Sequence, residues 1–302
     1  MKKIIVLFAS FLLLSQIYGQ NSQKSSSKAD TSKPWNVSSF TSITVAQTAL
    51  HNWAAGGENS FSFNAISNIQ ANYNKGVHSW NNTINLAYGM LKQQSKGWTK
   101  TDDRMEFNSQ YGLHAFKRMY YTALLNFRSQ FAPGYDYKKN DTVKISDFLS
   151  PGYLIFSAGM SYQSKDKSLN IFGSFVSGKM TIVLDSTLSA KGAFGVQPGK
   201  KVRYEVGAYV RITYNKQLTK NIMVNTQINL FSNYLHNPQN IDVNINALFV
   251  YKATKYLTFN IKTQAIYDDD TKILVDPLTG HKGPRLQLLE IFGFGLSFKL
   301  PD

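Results

Sequence analysis

The residues of this chain best equipped for chemistry are five histidines, His51, His78, His114, His236 and His281, the acidic run Asp268-Asp269-Asp270, and a long series of asparagines at alternating positions. A histidine beside a serine can accept the proton of a hydroxyl attacking an ester, the chemistry of a lipid hydrolase. None of these histidines stands in a recognisable serine-hydrolase motif, so surface or hydrogen-bonded roles are expected and no catalytic residue is assigned. The three aspartates offer oxygen ligands for Ca²⁺ without the spacing of a known calcium loop, so neither metal nor cofactor is expected. Asparagine amides both donate and accept hydrogen bonds. In a row they can guide a neutral polar solute such as a sugar, or bond to one another and fill space.

What positions these residues is an alternation of polar and apolar side chains. From Ser60 to Tyr73, Phe61, Phe63, Ala65, Ile69, Ala71 and Tyr73 fall on one face and Ser62, Asn64, Asn68, Gln70 and Asn72 on the other. Such a period of two is a strand pattern, and a helix would scatter these residues around its circumference. Asn74-Lys75-Gly76 is turn chemistry, and His78 to Met90 returns with Trp80, Ile84, Leu86, Tyr88 and Met90 aligned. The unit then repeats, with strands at Arg104–Phe116, Tyr121–Phe131, Tyr153–Gln163, Ser168–Ser177, Val202–Gln217, Ile222–Leu235, Val243–Tyr251, Leu257–Tyr267 and Leu286–Leu300. A weaker candidate at 39–47, whose place in the sheet the pattern leaves open, brings the count to about twelve, within a range of 10 to 14.

Connections alternate short and long. The long ones are expected at Leu91–Asp103, Ala132–Leu149, Gly178–Lys201 and Asp268–Arg285, with Leu235–Asn240 short for its side. Together these features predict an all-β fold: a closed, antiparallel, up-and-down transmembrane β-barrel over residues 35–302, with short turns in the periplasm and longer loops outside. Preceding it, Met1-Lys2-Lys3, the largely apolar Ile4 to Leu14 and the small Gly19 read as a signal peptide over 1–19. Residues 20–34, Ser/Lys-rich and aperiodic, read as a disordered periplasmic leader. Localisation in a bacterial outer membrane follows from that reading. Cysteine is absent, which excludes disulfides and thiolate metal sites.

Parity assigns an inward set: Asn64, Asn68, Asn85, Asn126, Asn229 and Asn246, with the ionisable Arg104, Glu106, Arg128, Arg203, Glu205, Arg211 and Lys262. Two functions are compatible with that lining. One is a narrow, porin-like channel for small polar solutes. The other is a structural or interaction barrel whose exterior loops, around Trp53, Gly56-Gly57, Trp98 and Asp268-Asp269-Asp270, bind a partner or lipopolysaccharide. The net charge of +15, or +13 without Lys2 and Lys3 of the signal peptide, suits contact with lipopolysaccharide phosphates. Nucleic acid is not expected as a partner, given the export signal and the lack of a basic helix or stacking module. The C-terminal alternation Phe292, Phe294, Leu296, Phe298, Leu300 resembles the signal read by the barrel assembly machinery. Glu290 interrupts it on the lipid-facing side unless a bulge or a position above the hydrocarbon intervenes.

Five segments, Asn52–Asn59, Gln130–Tyr135, Gly192–Val196, Tyr267–Asp270 and Gly283–Gln287, together resemble the domain-of-unknown-function outer-membrane barrel family common in Bacteroidota. That resemblance spans nearly all of the chain beyond the signal. It implies an outer-membrane barrel and no catalytic residue.

Overall fold

The computed structural model describes residues 34–51, 57–137, 143–268, 272–276 and 281–300. Twelve long strands follow one another: β1 Trp35–Thr48, β2 Ser60–Lys75, β3 His78–Gln93, β4 Gly97–Phe116, β5 Met119–Ser129 and β6 Gly152–Gln163. After them come β7 Leu169–Ile182, β8 Val202–Gln217, β9 Ile222–Asn233, β10 Ile241–Lys252, β11 Leu257–Tyr267 and β12 Gln287–Leu300. Each pairs antiparallel with the next, and β12 pairs back to β1, so the sheet closes into a ring. The N-terminal candidate at 39–47 therefore belongs to the ring, and extends from 35 to 48. Closure leaves no long strand without two neighbours, which an open sheet of this length cannot achieve.

Faces follow the alternation. Outward, large apolar side chains are exposed all round: Ile43, Ile84, Phe156, Phe175, Tyr204, Phe249, Ile261 and Phe292 among them. Inward, the buried residues are mostly polar, so the usual distribution of a water-soluble protein is inverted. Aromatic rings gather at two levels of this outer wall. At the turn end Trp35, Tyr73 and Trp80 touch one another at 5.2 and 5.8 Å. Toward the loop end Phe61, Phe63, Tyr88, Trp98 and Phe131 form a second row. Ten residues separate Tyr73 from Phe63 along β2. At about 3.4 Å per residue and a tilt of about 40°, that is roughly 26 Å, the height of the apolar band of an outer-membrane barrel.

Two expectations are corrected. The connection Leu91–Asp103 is not a long loop: β3 and β4 continue as a hairpin with only residues 94–96 between them. An extra residue, Thr101, is accommodated where Gly89 faces Asp102 and Met90 faces Lys100. This bulge shifts the parity, which is why the polar sequence there did not read as a strand. Trp98 consequently lies in β4, packed on Phe61 and Phe63 beneath the Lys92 ammonium, and not in a loop. Likewise, β7 runs on to Ile182 because a register shift turns both Phe175 and Val176 outward and then Ser177, Lys179 and Thr181 inward. Glu290 faces outward opposite Thr263 in unbroken register, so no bulge removes it from that face.

Candidate functional site

The site is the interior of the ring. Its turn-proximal and middle layers are polar. Arg104 on β4 donates from Nη1 to Asn246 Oδ1 at 2.6 Å, and from Nη2 to Glu106 Oε2. β4 and β10 are six strands apart in a ring of twelve, so Arg104 and Asn246 meet across the full bore. Glu106 is 2% exposed and also accepts from Gln227 Nε2 at 2.7 Å, Asn126 Nδ2 at 3.0 Å and Asn108 Nδ2 at 3.3 Å. Lys262 on β11 reaches Asp102 on β4 at 2.5 Å, and Asn64 Nδ2 donates to the same carboxylate at 3.3 Å. Asn68 donates to Asn85 at 2.5 Å, and Arg211 Nη2 to Gln227 Oε1 at 3.0 Å.

Nearer the loops a second ionic group forms. Lys179 Nζ lies 2.6 Å from Asp242 and 3.5 Å from Glu205, and Arg203 pairs with Glu205 at 3.0 Å. The Arg128 guanidinium stacks 4.7 Å from the Tyr153 ring. Both signs occur throughout: Asp102 pairs with Lys262, Glu106 with Arg104, and Glu205 and Asp242 with Lys179, while the buried Arg211 bonds the neutral Gln227 and leaves its Nε and Nη1 without a hydrogen-bond partner among the described residues. Those pairings offset the desolvation that an isolated charge would suffer.

One part of the interior is apolar, which the inward set named from parity did not include. Leu124, Ile155, Phe172, Tyr209 and Phe231 project from the adjacent strands β5 to β9 into one buried cluster. Tyr209 completes the join by donating its hydroxyl to Asn229 at 2.7 Å. Spaces of very different size remain around these groups, the larger ones at the two ends: about 570 Å³ at the loop end, lined by Arg203, Asn233, Lys200 and His236. One cavity of about 60 Å³ lies among Asn81, Asn85, Asn108 and Arg211, and another of about 60 Å³ among Arg128, Tyr153, Lys179 and Asp268. A pocket of about 270 Å³, lined by Asn68, Gln70, Asn215 and Asn225, opens at the turn end.

All thirteen inward candidates named from parity thus lie on the inner wall or its mouths. Parity missed Asp102, which lay in an expected loop, Lys179, which lay beyond an expected strand end, and Gln227, which alternates with Asn225 and Asn229 and was legible from them.

The loop candidates divide. Trp53, Gly56, Asp269 and Asp270 lie outside the described residues. Gly57 adopts φ +103°, open to glycine, and packs near Leu50. Next to it Glu58 accepts from the Ser95 amide at 2.9 Å and from Gln93 Nε2 at 2.9 Å, hooking this loop onto the β3–β4 hairpin. The Ser95 contacts hold the Glu58 carboxyl below its ordinary pKa. Two other loops are locked together by Lys144, 2.7 Å from Asp147 and 2.9 Å from Asp185. Asp185 also caps the short helix Ser186–Ala190 through the Leu188 amide at 2.9 Å. Among the histidines, His78 bonds Tyr111 Oη, His114 the Lys117 carbonyl and His236 the Asn237 amide.

Solved structures similar to the chain include the translocator domain of autotransporter NalP from Neisseria meningitidis, at 8% identity and a TM-score of 0.35, covering 98% of this chain and 95% of that one. The COG4313 outer membrane channel from Pseudomonas putida F1 is similar at 9% identity and a TM-score of 0.34, covering 88% and 93%. None of the curated proteins compared with the chain matches it. Residues 45–135, from the end of β1 through β5 into the following loop, match the family model described as a protein of unknown function (DUF3078).

Proposed function

We propose that this protein is an outer-membrane β-barrel whose bore is closed at rest by its own side chains, and which acts through its two ends without catalysis. The observation that carries the reading is the inverted wall: apolar and aromatic outside, polar and cross-linked inside. Within a bilayer every backbone amide needs an internal partner, and a ring of strands supplies one without an edge. Short turns then stand in the periplasm and the braced loops outside, where they form an interaction platform for lipopolysaccharide or a protein. The C-terminal strand closes the ring and supports recognition by the assembly machinery.

A narrow solute path is the second reading, favoured by the 270 Å³ amide-lined pocket at the turn end. It requires the Arg104–Glu106–Asn246 layer to move. Planar-bilayer recordings separate the two. The closed-bore reading expects no steady current from the parent protein and current from Arg104→Ala with Lys262→Ala; steady conductance by the parent overturns it. Quenching of Trp35 and Trp80 fluorescence by brominated lipid tests the membrane assignment, which fails if both stay unquenched.

A further inference from the structure

Charge is distributed unequally between the two ends of the ring. Lys75 enters the first turn, Lys117 and Arg118 form the second, and Lys165 and Lys167 flank Asp166 in the third. Lys216 and Lys220 bracket the fourth turn, and Lys252 and Lys255 the fifth. Nine cations therefore stand against one carboxylate, Asp166, which Lys216 neutralises at 2.9 Å. At the opposite end the six connections 49–59, 94–96, 130–151, 183–201, 234–240 and 268–286 carry ten Lys and Arg against nine Asp and Glu. Counted on the same basis, the five turns 76–77, 117–118, 164–168, 218–221 and 253–256 carry six Lys and Arg against Asp166, with Lys75, Lys216 and Lys252 at the strand ends beside them.

Two further observations indicate what faces this rim. The cations are spread over all five turns, with none of the turns left out, and all but Lys252 are exposed. At the first turn the lower aromatic row, Trp35, Tyr73 and Trp80 on β1 to β3, lies between Lys75 at the end of β2 and the apolar wall. Aromatic rings mark the boundary between hydrocarbon and headgroups, so cations just beyond them stand at the depth of lipid phosphates. A macromolecule docking from solution would select one sector; a leaflet surrounds the barrel on every side, as these residues do. We propose that the turn rim binds anionic phospholipid headgroups of the leaflet on its side of the membrane, fixing the barrel's depth and gathering such lipids around it. This rests on the membrane-barrel reading above.

The test places the purified full chain in nanodiscs of phosphatidylcholine containing a minor share of phosphatidylglycerol, and measures the headgroup ratio of lipid co-purifying with it. Phosphatidylglycerol should be enriched about twofold or more over bulk, and the enrichment should fall with added salt. It should vanish when Lys117, Arg118, Lys165, Lys167, Lys220 and Lys255 are all changed to Gln, and persist in the loop-end control K191Q/K200Q/K201Q. Equal enrichment in the turn variant overturns the proposal. So does tight binding of soluble polyglutamate without lipid enrichment, which would indicate a macromolecular partner. Failure to insert even into phosphatidylcholine overturns the membrane reading as well, whereas insertion without enrichment overturns this proposal alone.

Discussion

Arg104 and Asn246, 142 residues apart in the chain, are bonded at 2.6 Å from opposite sides of the ring. The same guanidinium holds Glu106, so one side chain links two walls and neutralises the most buried carboxylate of the layer.

Removing that link should be costly. Arg104→Ala leaves Glu106 buried without its ion-pair partner, and the loss expected is about 3–5 kcal/mol. Asn246→Ala removes one bond to a charged donor and should cost about 1.5–3 kcal/mol. Unfolding of both single variants and the double variant by urea, in lipid vesicles, would yield their coupling. Strict additivity would mean that the two residues do not act on each other.

The ring has one short seam. β12 pairs with β1 only from Leu300↔Ser39 to Gly295↔Thr44, whereas its pairing with β11 runs from Gln287 to Leu296. Amides of residues 45–48 and 287–294 that face the seam should exchange with deuterium faster than those facing β2 and β11. Uniform protection across both strands would mean that the seam is zipped along its whole length.

Gly207 leaves no room for a side chain. A Cβ there would meet the Ser232 carbonyl oxygen at 1.9 Å and the Phe231 ring at 3.1 Å. Gly207→Ala must push β8 from β9 beside the interior apolar cluster, and a loss of about 1–3 kcal/mol is expected. Wild-type stability in the same urea assay would show that the strands separate without strain.

Acid should release the loop platform. The Asp185 pKa is lowered from 3.8, first by the Leu188 amide and then by Lys144. A depressed carboxylate contributes stability that is complete above the unfolded pKa and disappears as pH falls through the lower folded value. Leu188 should therefore stay protected from exchange at neutral pH and lose protection only when pH drops below 3.8 through that lower folded value. Asp185→Asn should keep part of the cap and remove most of the pH dependence. Protection unchanged throughout the titration would dissociate the carboxylate from the loop's stability.

The alternation from Phe61 to Tyr73, repeated along the chain, was sufficient to place most strands and their inward faces, because strand parity is a local property of successive residues. Trp98, Asp102 and Lys179 escaped it. Each lies beside a bulge, and one inserted residue exchanges the faces of everything that follows.

The apolar patch of Leu124, Ile155, Phe172, Tyr209 and Phe231 was hidden for another reason. Each is a single inward hydrophobe on its own strand, and only five strands side by side turn them into a cluster. Sequence alone determined most of the strands, the short turns and most of the polar lining. Which residues of that lining meet was decided by the tertiary structure, since the bonds from Arg104 to Asn246 and from Lys262 to Asp102 exist only after the ring closes and brings distant walls within reach.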